Sequence, residues 1–392
     1  MLFPIKRSVR PARFTRRIKN AQFLPADIKK DTFRLSLNIV ALLTYAVFGQ
    51  DSTGRYFYTH PEFGSQSMFN PFSVLINGGY DIVQTGIYDS HPFHIPYAKG
   101  FSNVLYNIRH PMMQISRHGW GNFLSTEVFP TRLKIDCSQY LPNYTLHIIG
   151  SGATYRMLCE WNKAHGLPHP KMFAVAFATA YNFLNELMEN GSYTGVNVDP
   201  IADMWIFNPL GILLYSSNSV ARFFSASVQV CDWSGMPFFD PLYGKIDNAS
   251  QNWAIKIPLP VIERTRLFVY LGMNEVAGIS YAMKNDFAIS CGGGFSVGDI
   301  VNADSGNAIG RVMSIHYSWN AGLFIDKSHS LLFSLLFSNC SQYKLRANLY
   351  PLPNFHFGKF RPGFFAALGR NNDVAFGITG NWLPVSLSKR IQ

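Results

Sequence analysis

The chain has 392 residues, of which 47% are hydrophobic, 15% aromatic and only 15% charged, and its net charge is +11. An ordinary soluble domain carries about 25% charged residues, and so hydrophobic a composition excludes intrinsic disorder and a highly charged coiled coil. Apart from one run near the N-terminus, no uncharged apolar stretch approaches the ~20 residues that a membrane-spanning helix needs. Two classes remain: a soluble protein, or a transmembrane β-barrel, whose alternating strands keep the mean hydropathy near zero.

The N-terminal region has the anatomy of a secretory signal. Residues 1–34 contain ten Lys or Arg and two acids, and they precede the apolar run Leu35–Phe48. The basic part is roughly 20 residues longer than in a typical signal, which favours a true start codon nearer Lys30. We therefore predict an over-long N-terminus plus signal peptide in 1–49 and a mature chain that starts near Gln50, with an inner-membrane anchor as the alternative. Nucleic acid is not expected as a partner, because the basic residues are not interleaved with aromatics on a folded face.

The five cysteines suggest neither a disulfide framework nor a metal site. They are odd in number and widely spaced, and they form no CxxC pair. Since structural metal sites need closely spaced ligands, we predict that the protein has no metal and no cofactor. The cysteines are interpreted as small apolar residues.

Residues 50–98 are rich in Gly, Pro, Tyr, Phe and His, and we expect irregular structure there with a short strand at Phe72–Asn77. Apolar residues at intervals of three and four then predict a helical segment over 99–219. Its helices are expected at 100–109, 144–161, 171–190 and 199–207. The last of these has a clear start, with Asp199 as N-cap and Pro200 at the first helical position.

From residue 220 onward, apolar and polar residues alternate, which is typical of strands with one covered face. The alternation recurs in ten segments: 220–233, 252–259, 266–273, 276–283, 286–295, 312–325, 329–338, 343–350, 361–368 and 373–380. We predict an α+β protein in which the helical segment precedes an antiparallel transmembrane β-barrel of 8–12 strands over 220–388. A soluble antiparallel sandwich is the alternative.

Two features of the strands favour the barrel, and one departs from it. Their polar faces carry few charges, and aromatic residues such as Trp319 and Trp382 lie near strand ends, as interfacial girdles do. The chain continues past Trp382 to Gln392, although outer-membrane barrels usually end on an aromatic residue. We expect the charged side chains of Arg222, Lys344 and Arg346 to point into the lumen, away from lipid.

Polar residues in the helical segment form a candidate site. His147, Glu186 and Asp203 lie on three successive helices among apolar residues, and burying each alone would be costly. We expect the three to converge, as catalytic candidates in which His147 acts as general base. Candidate binding residues on the same helices are Asn182, Asn185, Asp199 and Asn208. A metal site and a structural polar network are the other interpretations, and we favour the network.

Short motifs between residues 90 and 215 carry a resemblance to known proteins. These are SHPFHIPYAKGFSNVLYN at 90–107, HIIGSGATYR at 147–156 and AYNFLNELMENGSYTGVNVDPIADMWIFNPLG at 180–211. The H…G…E…D…N…G pattern resembles that of the VanZ-like group, and more closely that of uncharacterised outer-membrane proteins that carry it ahead of a β-barrel. Glu189 stands where the VanZ-like pattern usually has a Gln. The matching residues are His91, Pro92, Pro96, Tyr97, Gly100, Tyr106, His147, Gly150, Glu186, Asp203, Asn208 and Gly211.

The resemblance implies a location and an architecture rather than an activity. With the strand pattern, it predicts a protein of the outer membrane of a diderm bacterium, with a membrane-associated helical module and a structural or assembly role in the cell envelope. The expected partners are outer-membrane lipid and other outer-membrane proteins. The alternative is a lipid- or lipopolysaccharide-modifying hydrolase or transferase that uses the His/Glu/Asp cluster, and a transport pore is a third class.

Overall fold

A computed structural model describes residues 54–59, 62–86, 88–129, 142–303, 312–338, 342–381 and 383–391. The protein is α+β, with helices in its first half and a large, mostly antiparallel sheet in its second half. The predicted signal in 1–49 lies outside the described residues, as do Cys137, Cys340 and Trp382. Within the described part, no helix is both long enough and apolar enough to cross a membrane.

The helical part begins with two short helices and a 3₁₀ turn at Asp81–Thr85. The α-helices are α1 (Gly64–Met68), α2 (Pro71–Gly79), α3 (Tyr97–Arg109), α4 (Pro111–His118), α5 (Trp120–Phe123), α6 (Ser151–Ala164), α7 (Pro170–Asn190), α8 (Asp199–Ala202), α9 (Asn208–Ser216) and α10 (Asn218–Arg222). π-helical segments extend several of them: Leu124–Val128, Pro142–Gly150, Asp203–Phe207 and Phe223–Ser227. We call the described helices between Tyr97 and Ser227 the helical module.

Most predicted helices are confirmed, while two predicted strands are wrong. Phe72–Asn77 belongs to α2, because Asn70 caps the helix by accepting from the backbone N–H of Phe72 and Ser73, and Pro71 fixes its first turn. Residues 220–227 are helical as well, since α10 continues into a π-helical segment. Arg222 therefore lies on an exposed helix and not in a strand. The helix predicted at Asp199 starts there, but Val198 is its N-cap residue.

In the described part of the chain the sheet contains thirteen strands, and the predicted strands from 252 onward are confirmed in approximate position. They are β1 (Cys231–Asp232), β2 (Phe238–Asp240), β3 (Lys245–Asp247), β4 (Trp253–Pro258), β5 (Thr265–Leu271), β6 (Asn274–Ala282), β7 (Phe287–Ala303), β8 (Val312–Lys327), β9 (Ser330–Ser338), β10 (Tyr343–Leu349), β11 (Pro362–Gly369), β12 (Val374–Gly380) and β13 (Ser386–Ile391). The strand order is β1-β4-β5-β6-β7-β8-β9-β10-β11-β12-β13-β2-β3. Among the described strands, the two ends of this order are not paired with each other, so the order is that of an open sheet where the sequence predicts a closed barrel.

The four short strands at the ends of the sheet belong to one hairpin. Cys231 pairs with Ala254 in β1 and β4, and Asp240 pairs with Lys245 in β2 and β3. Between these pairs the Trp233 N–H donates to the Asn252 carbonyl at 2.9 Å, and the Gly235 N–H donates to the Ser250 carbonyl at 2.7 Å. One register therefore runs from one end of the hairpin to the other. Among the strand pairs that the structure describes, only β13 and β2 are parallel.

The two faces of the sheet differ sharply in polarity. The outer face exposes large apolar side chains on successive strands: Ile257, Leu267, Ile279, Tyr281, Ile289, Phe295, Trp319, Leu323, Phe337, Phe364, Val374, Phe376, Ile378 and Leu387. The inner face buries an aromatic cluster together with polar and charged side chains, among them Lys256, Ser280, Ser290, Asn320, Asp326, Ser334, Arg346 and Asn348. Arg346 lies on this buried face, which is the side that the barrel prediction assigns to the lumen, whereas Lys344 is exposed and donates to Asn372.

The N-terminal helices cover the inner face of the sheet. Met68 of α1 packs in the same cluster as the inner-face aromatics, and the Gln66 N–H donates to Ser330 Oγ at 3.1 Å. Farther along, Gln84 accepts from Arg346 and from Asn274, at 3.3 and 3.0 Å. The segment from Gly64 to Thr85 thus supplies partners for polar groups that the sheet could not satisfy alone.

The helical module packs on the outer face of the sheet beside the hairpin. Trp253 and Ile255 of β4 belong to the module's apolar core, and the Trp253 ring lies against Gly150. The Lys256 N–H also donates to the Val228 carbonyl at 3.2 Å, where the module's last segment joins the sheet. This contact positions the helices that carry the candidate site next to β4.

Candidate functional site

The candidate site lies inside the helical module, where three elements meet. His147 comes from the π-helical segment Pro142–Gly150, Glu186 from α7, and Asp203 from the π-helical segment after α8. His147 Nε2 lies 3.4 Å from Asp203 Oδ2. Glu186, Asp199 and Asp203 each place a carboxylate oxygen within 4.8 Å of the others. The structure therefore brings the three catalytic candidates together, with Asp199 as a fourth member.

A close helix crossing allows this convergence. Gly211 of α9 lies against the π-helical segment, and a Cβ there would be 2.8 Å from the Ile148 carbonyl and 2.9 Å from the His147 carbonyl. Only glycine fits such an approach without displacing the backbone. Because α9 begins at Asn208, the same crossing brings the Asn208 amide to His147.

His147 is held in one orientation by two contacts. Its Nδ1 lies 3.1 Å from Asn208 Oδ1, which is an acceptor. The proton of a neutral imidazole is therefore on Nδ1, and the lone pair of Nε2 faces Asp203. Burial lowers the pKa of His147 to about 4, against the smaller opposing effect of the Asn208 hydrogen bond. The imidazole is thus a neutral acceptor at neutral pH.

The pKa values of the carboxyl groups around His147 are raised, whereas that of His147 is lowered. Burial, followed by the charges of Asp203 and Asp199, raises the pKa of Glu186 well above its usual range. Burial and the Asp199 charge raise the pKa of Asp203 likewise, although its hydrogen bond with Glu186 acts in the other direction. A protonated Asp203 would donate to Nε2 of His147 across the 3.4 Å gap, which removes the conflict between two facing acceptors.

Glu127 extends the site, and sequence reasoning missed it. Burial, then the charge of Asp199, raises the pKa of Glu127 to about 8. Its Oε1 accepts from Thr126 at 2.9 Å, and its backbone carbonyl accepts from Asn143 at 2.9 Å. The stretch LSTEV around Glu127 is too short to show a periodicity. Its proximity to Asp199 could therefore be found only from the fold.

Two of the predicted binding residues have other roles in the described structure. Asn182 Nδ2 donates to Ser151 Oγ at 3.0 Å and to the Ala178 carbonyl at 2.9 Å, so it joins α7 to α6. Asn185 Nδ2 donates to Glu189 Oε1 at 2.9 Å along the surface of α7. Asp199 and Asn208, in contrast, contact the cluster directly.

The arrangement can support two kinds of chemistry. A neutral imidazole beside carboxyls of raised pKa provides a general base and a general acid within hydrogen-bonding reach of each other. Three carboxylates and an imidazole are also ligands that a divalent cation accepts, with Glu186, Asp199 and Asp203 as its nearest ligands. Polar groups of perturbed pKa cluster at functional sites more often than elsewhere, which marks this cluster as the candidate.

Searches against family models, curated proteins and solved structures found no match to this chain. The resemblance to VanZ-like and outer-membrane barrel proteins therefore stays a prediction that rests on the motifs between residues 90 and 215.

Proposed function

We propose that the protein is an integral β-barrel protein of the outer membrane of a diderm bacterium, and that the barrel anchors the helical module in a structural or assembly role in the cell envelope. The observation that carries this proposal is the polarity of the sheet. Its exposed face carries large apolar side chains on most strands, and its covered face combines an aromatic cluster with buried polar and charged side chains. A soluble antiparallel sheet instead presents mainly polar side chains to water on its exposed face.

The outer face is far too apolar for contact with water alone. Ile279 and Ile378 are each 55% exposed and Trp319 is 58% exposed, and similar side chains continue across β4 to β13. A soluble monomer seldom exposes an apolar patch larger than a few hundred Å². Hydrocarbon removes this cost, because lipid chains are as apolar as the side chains they would touch.

The inner face supports the same conclusion through its ion pairs. Lys256 and Asp326 form a fully buried pair, and Arg390 bridges Asp247 at 2.5 Å and Asp373 at 2.8 Å. Charges on lipid-facing positions would be costly, whereas charges that point into a lumen can pair there. The Lys256–Asp326 and Arg390–Asp247 pairs each join two strands, and the Arg390–Asp373 pair joins β13 to the β11–β12 turn, so the three pairs also fix the relative positions of these elements.

Barrel closure is supported by the hairpin that contains β1 to β4. If β1 and β2 are one interrupted strand and β3 and β4 another, the hairpin pairs with β5 on one side and with β13 on the other. The sheet then closes as a ring of two composite strands and nine strands from β5 to β13. An odd number of strands requires one parallel pair in such a ring, and β13 with β2 provides it.

Arginine substitution on the outer face distinguishes this proposal from the soluble sandwich. In water, Arg at a 55% exposed position is harmless, whereas at the middle of a bilayer it costs ~2–4 kcal/mol. We therefore expect Ile279→Arg and Ile378→Arg to reduce the folded fraction strongly after refolding into phosphatidylethanolamine–phosphatidylglycerol vesicles. Ile279→Leu is the matched control, and heat-modifiable migration on a gel measures the folded fraction. Unimpaired Arg variants whose bands migrate alike with and without boiling would support the sandwich instead.

The site geometry favours a second candidate function, a lipid- or lipopolysaccharide-modifying hydrolase or transferase. The supporting observation is the oriented His147 with its neutral Nε2 directed at Asp203, beside Glu186. In this role His147 would accept a proton from the attacking hydroxyl or water, and a protonated carboxyl would donate one to the leaving group.

Variants of the three residues test the enzymatic candidate. Expressed in a deletion strain, His147→Ala, Glu186→Gln and Asp203→Asn are expected to leave the amount of folded protein near normal and to change the outer-membrane lipids seen by mass spectrometry. A stable set of variants with unchanged lipids would contradict catalysis. Loss of folded protein in all three would instead favour the structural network, in which each unsatisfied partner costs ~1–3 kcal/mol.

A further inference from the structure

The helices that hold the candidate site share an apolar surface strip. Tyr144, Leu210, Leu214 and Phe223 are its large exposed members, each 37–54% exposed. Leu210 and Leu214 lie one turn apart on α9, and the Tyr144 ring packs on Phe207 with centroids 5.4 Å apart. We call these four residues the apolar strip.

The apolar strip is connected to the outer face of the sheet through ring contacts. Phe223 packs edge-on against Phe224 at 5.3 Å, and Phe224 stacks on Tyr215 at 5.1 Å. Phe224 packs in the same core as Ile255 of β4. The next outward residue of that strand, Ile257, is 40% exposed and pairs with Leu267 of β5, which is also exposed. The apolar strip is thus joined through the core of the module to the outer face of the sheet.

Charge is distributed around this surface in an unusual way. Residues 142–155 and 204–221, which carry most of the apolar strip, contain no Asp, Glu, Lys or Arg. Among the described residues of the module, every acid is buried or half-buried. The exposed charged residues there are all basic: Lys99, Arg109, Arg117, Lys163 and Arg222. The exposed charge of the module is therefore entirely basic, and Arg222 is the member next to Phe223 in the chain. We call these five residues the basic margin.

We propose that the apolar strip is embedded in one leaflet of the membrane that surrounds the sheet, with its acyl chains on Leu210, Leu214 and Phe223 and its anionic headgroups near Arg222. This inference rests on the proposed membrane location of the sheet. α9, which carries Leu210 and Leu214, has only nine residues and is too short to span a bilayer, so it lies along the leaflet as interfacial helices do. An acidic protein partner would match the basic margin, but it would not account for the continuity with the outer face of the sheet.

The candidate site lies close to the apolar strip. His147 lies on the same π-helical segment as Tyr144, and its own backbone carbonyl faces Gly211 of α9. Its side chain is 13% exposed. The embedding would therefore place the segment that carries His147 at the leaflet together with Tyr144.

Spin labels can test the embedding separately from the location of the sheet. Single cysteines are introduced at Leu214, Ile279 and Asn371 in a variant whose five native cysteines are replaced by alanine, and each is labelled with a nitroxide. The protein is refolded into phosphatidylethanolamine–phosphatidylglycerol vesicles. Collision rates with oxygen, which concentrates in lipid, and with a water-soluble nickel complex are then compared. Asn371, in the exposed β11–β12 turn, is the aqueous reference.

The embedding predicts that the label at Leu214 favours oxygen as the label at Ile279 does, and that the label at Asn371 favours nickel. A Leu214 label that behaves like Asn371, while Ile279 remains lipid-exposed, would overturn the embedding and leave the sheet's membrane location intact. Nickel-accessible labels at both Leu214 and Ile279 would overturn both proposals. The basic margin predicts further that replacing phosphatidylglycerol by phosphatidylcholine lowers the oxygen preference at Leu214 and leaves Ile279 unchanged.

Discussion

The sheet and the helical module both bury charged side chains, but they stabilise them differently. In the sheet, the buried charges include two ion pairs of opposite sign, Lys256 with Asp326 and Arg390 with Asp247. In the module, Glu186 and Asp203 face each other and Asp199, and the pKa of each is raised by burial and by its neighbours' negative charge. Repulsion rather than attraction dominates around these carboxyls.

This difference separates charged groups that stabilise the folded state from charged groups that destabilise it. A buried ion pair is costly to break, because removal of one partner leaves an uncompensated charge. A cluster of like charges is stable only if protons or a cation neutralise it, and it is retained where a function requires it. The ion pairs of the sheet are therefore expected to stabilise the fold. The carboxyls of the module are expected to take up and release protons or to bind a cation.

The largest expected effect is the loss of a buried pair in the sheet. Lys256→Met leaves Asp326 buried without its ammonium partner, and it also removes a cation 4.7 Å from the Trp233 ring. We expect the free energy of unfolding to fall by ~3–5 kcal/mol, measured by urea unfolding of the folded protein in micelles. The double variant Lys256→Met/Asp326→Leu should recover most of this loss. A double variant as unstable as the single one would show that the pair is not the cause.

The module contains one ion pair of the same kind, which allows a test within a single region. Glu160 Oε2 accepts from the backbone N–H groups of Tyr56, Phe57 and Tyr58 at 2.8–3.0 Å, and Oε1 accepts from Arg156 at 2.9 Å. Glu160→Gln removes the charge from these bonds, and we expect a loss of ~1.5–3 kcal/mol. Glu186→Gln is the matched control. Because burial and the charges of Asp203 and Asp199 raise the pKa of Glu186 well above its usual range, its amide replacement should have little effect in the same unfolding experiment.

A raised pKa also predicts how stability depends on pH. The folded protein holds the Glu127 proton up to about pH 8, whereas the unfolded chain releases it near ~4.3. Between these values the folded state binds more protons, so the free energy of unfolding falls as the pH rises, by at most ~1.4 kcal/mol per pH unit from this group. Glu127→Gln should flatten the pH profile of unfolding. Glu263→Gln, in an exposed turn, should leave it unchanged, and an equal slope in both variants would refute the assignment to Glu127.

The sequence predicts the sheet better than it predicts the sheet's ends. Strands such as β8 and β10 alternate apolar and polar residues because one face is exposed and the other is covered, and this period of two is visible in the sequence. The three-residue strands β2 and β3 are too short to show a period. β13 was not predicted either, because its inner-face residues, Ser386 and Ser388, are small and its outer face includes Lys389.

In the candidate site, too, packing between distant segments determines what the local sequence pattern does not. The positions of His147, Glu186 and Asp203 on three helices suggested their convergence, but their distances depend on the close crossing at Gly211. Arg222 was assigned to a strand because apolar residues surround it. Those residues also fit a helical period, and the packing of Val220 and Phe224 on the apolar core of the module favours the helix.

The smallest expected effect concerns the orientation of His147, and it sharpens the distinction between structural and functional polar groups. Asn208 Oδ1 fixes the imidazole proton on Nδ1, which leaves Nε2 as the acceptor that faces Asp203. Asn208→Ala removes that acceptor and should cost only ~0.5–1.5 kcal/mol, because His147 is partly exposed. The proton is then expected to move to Nε2, where it donates to Asp203. The ¹⁵N chemical shift of Nε2 should therefore become that of a protonated ring nitrogen, and the shift of Nδ1 that of an unprotonated one.

His110, whose Nδ1 lies 2.9 Å from the Tyr106 carbonyl, is the internal control. An unchanged tautomer in Asn208→Ala would mean that Asp203 and burial alone determine the protonation of His147, and Asn208 would then be only a packing residue of α9.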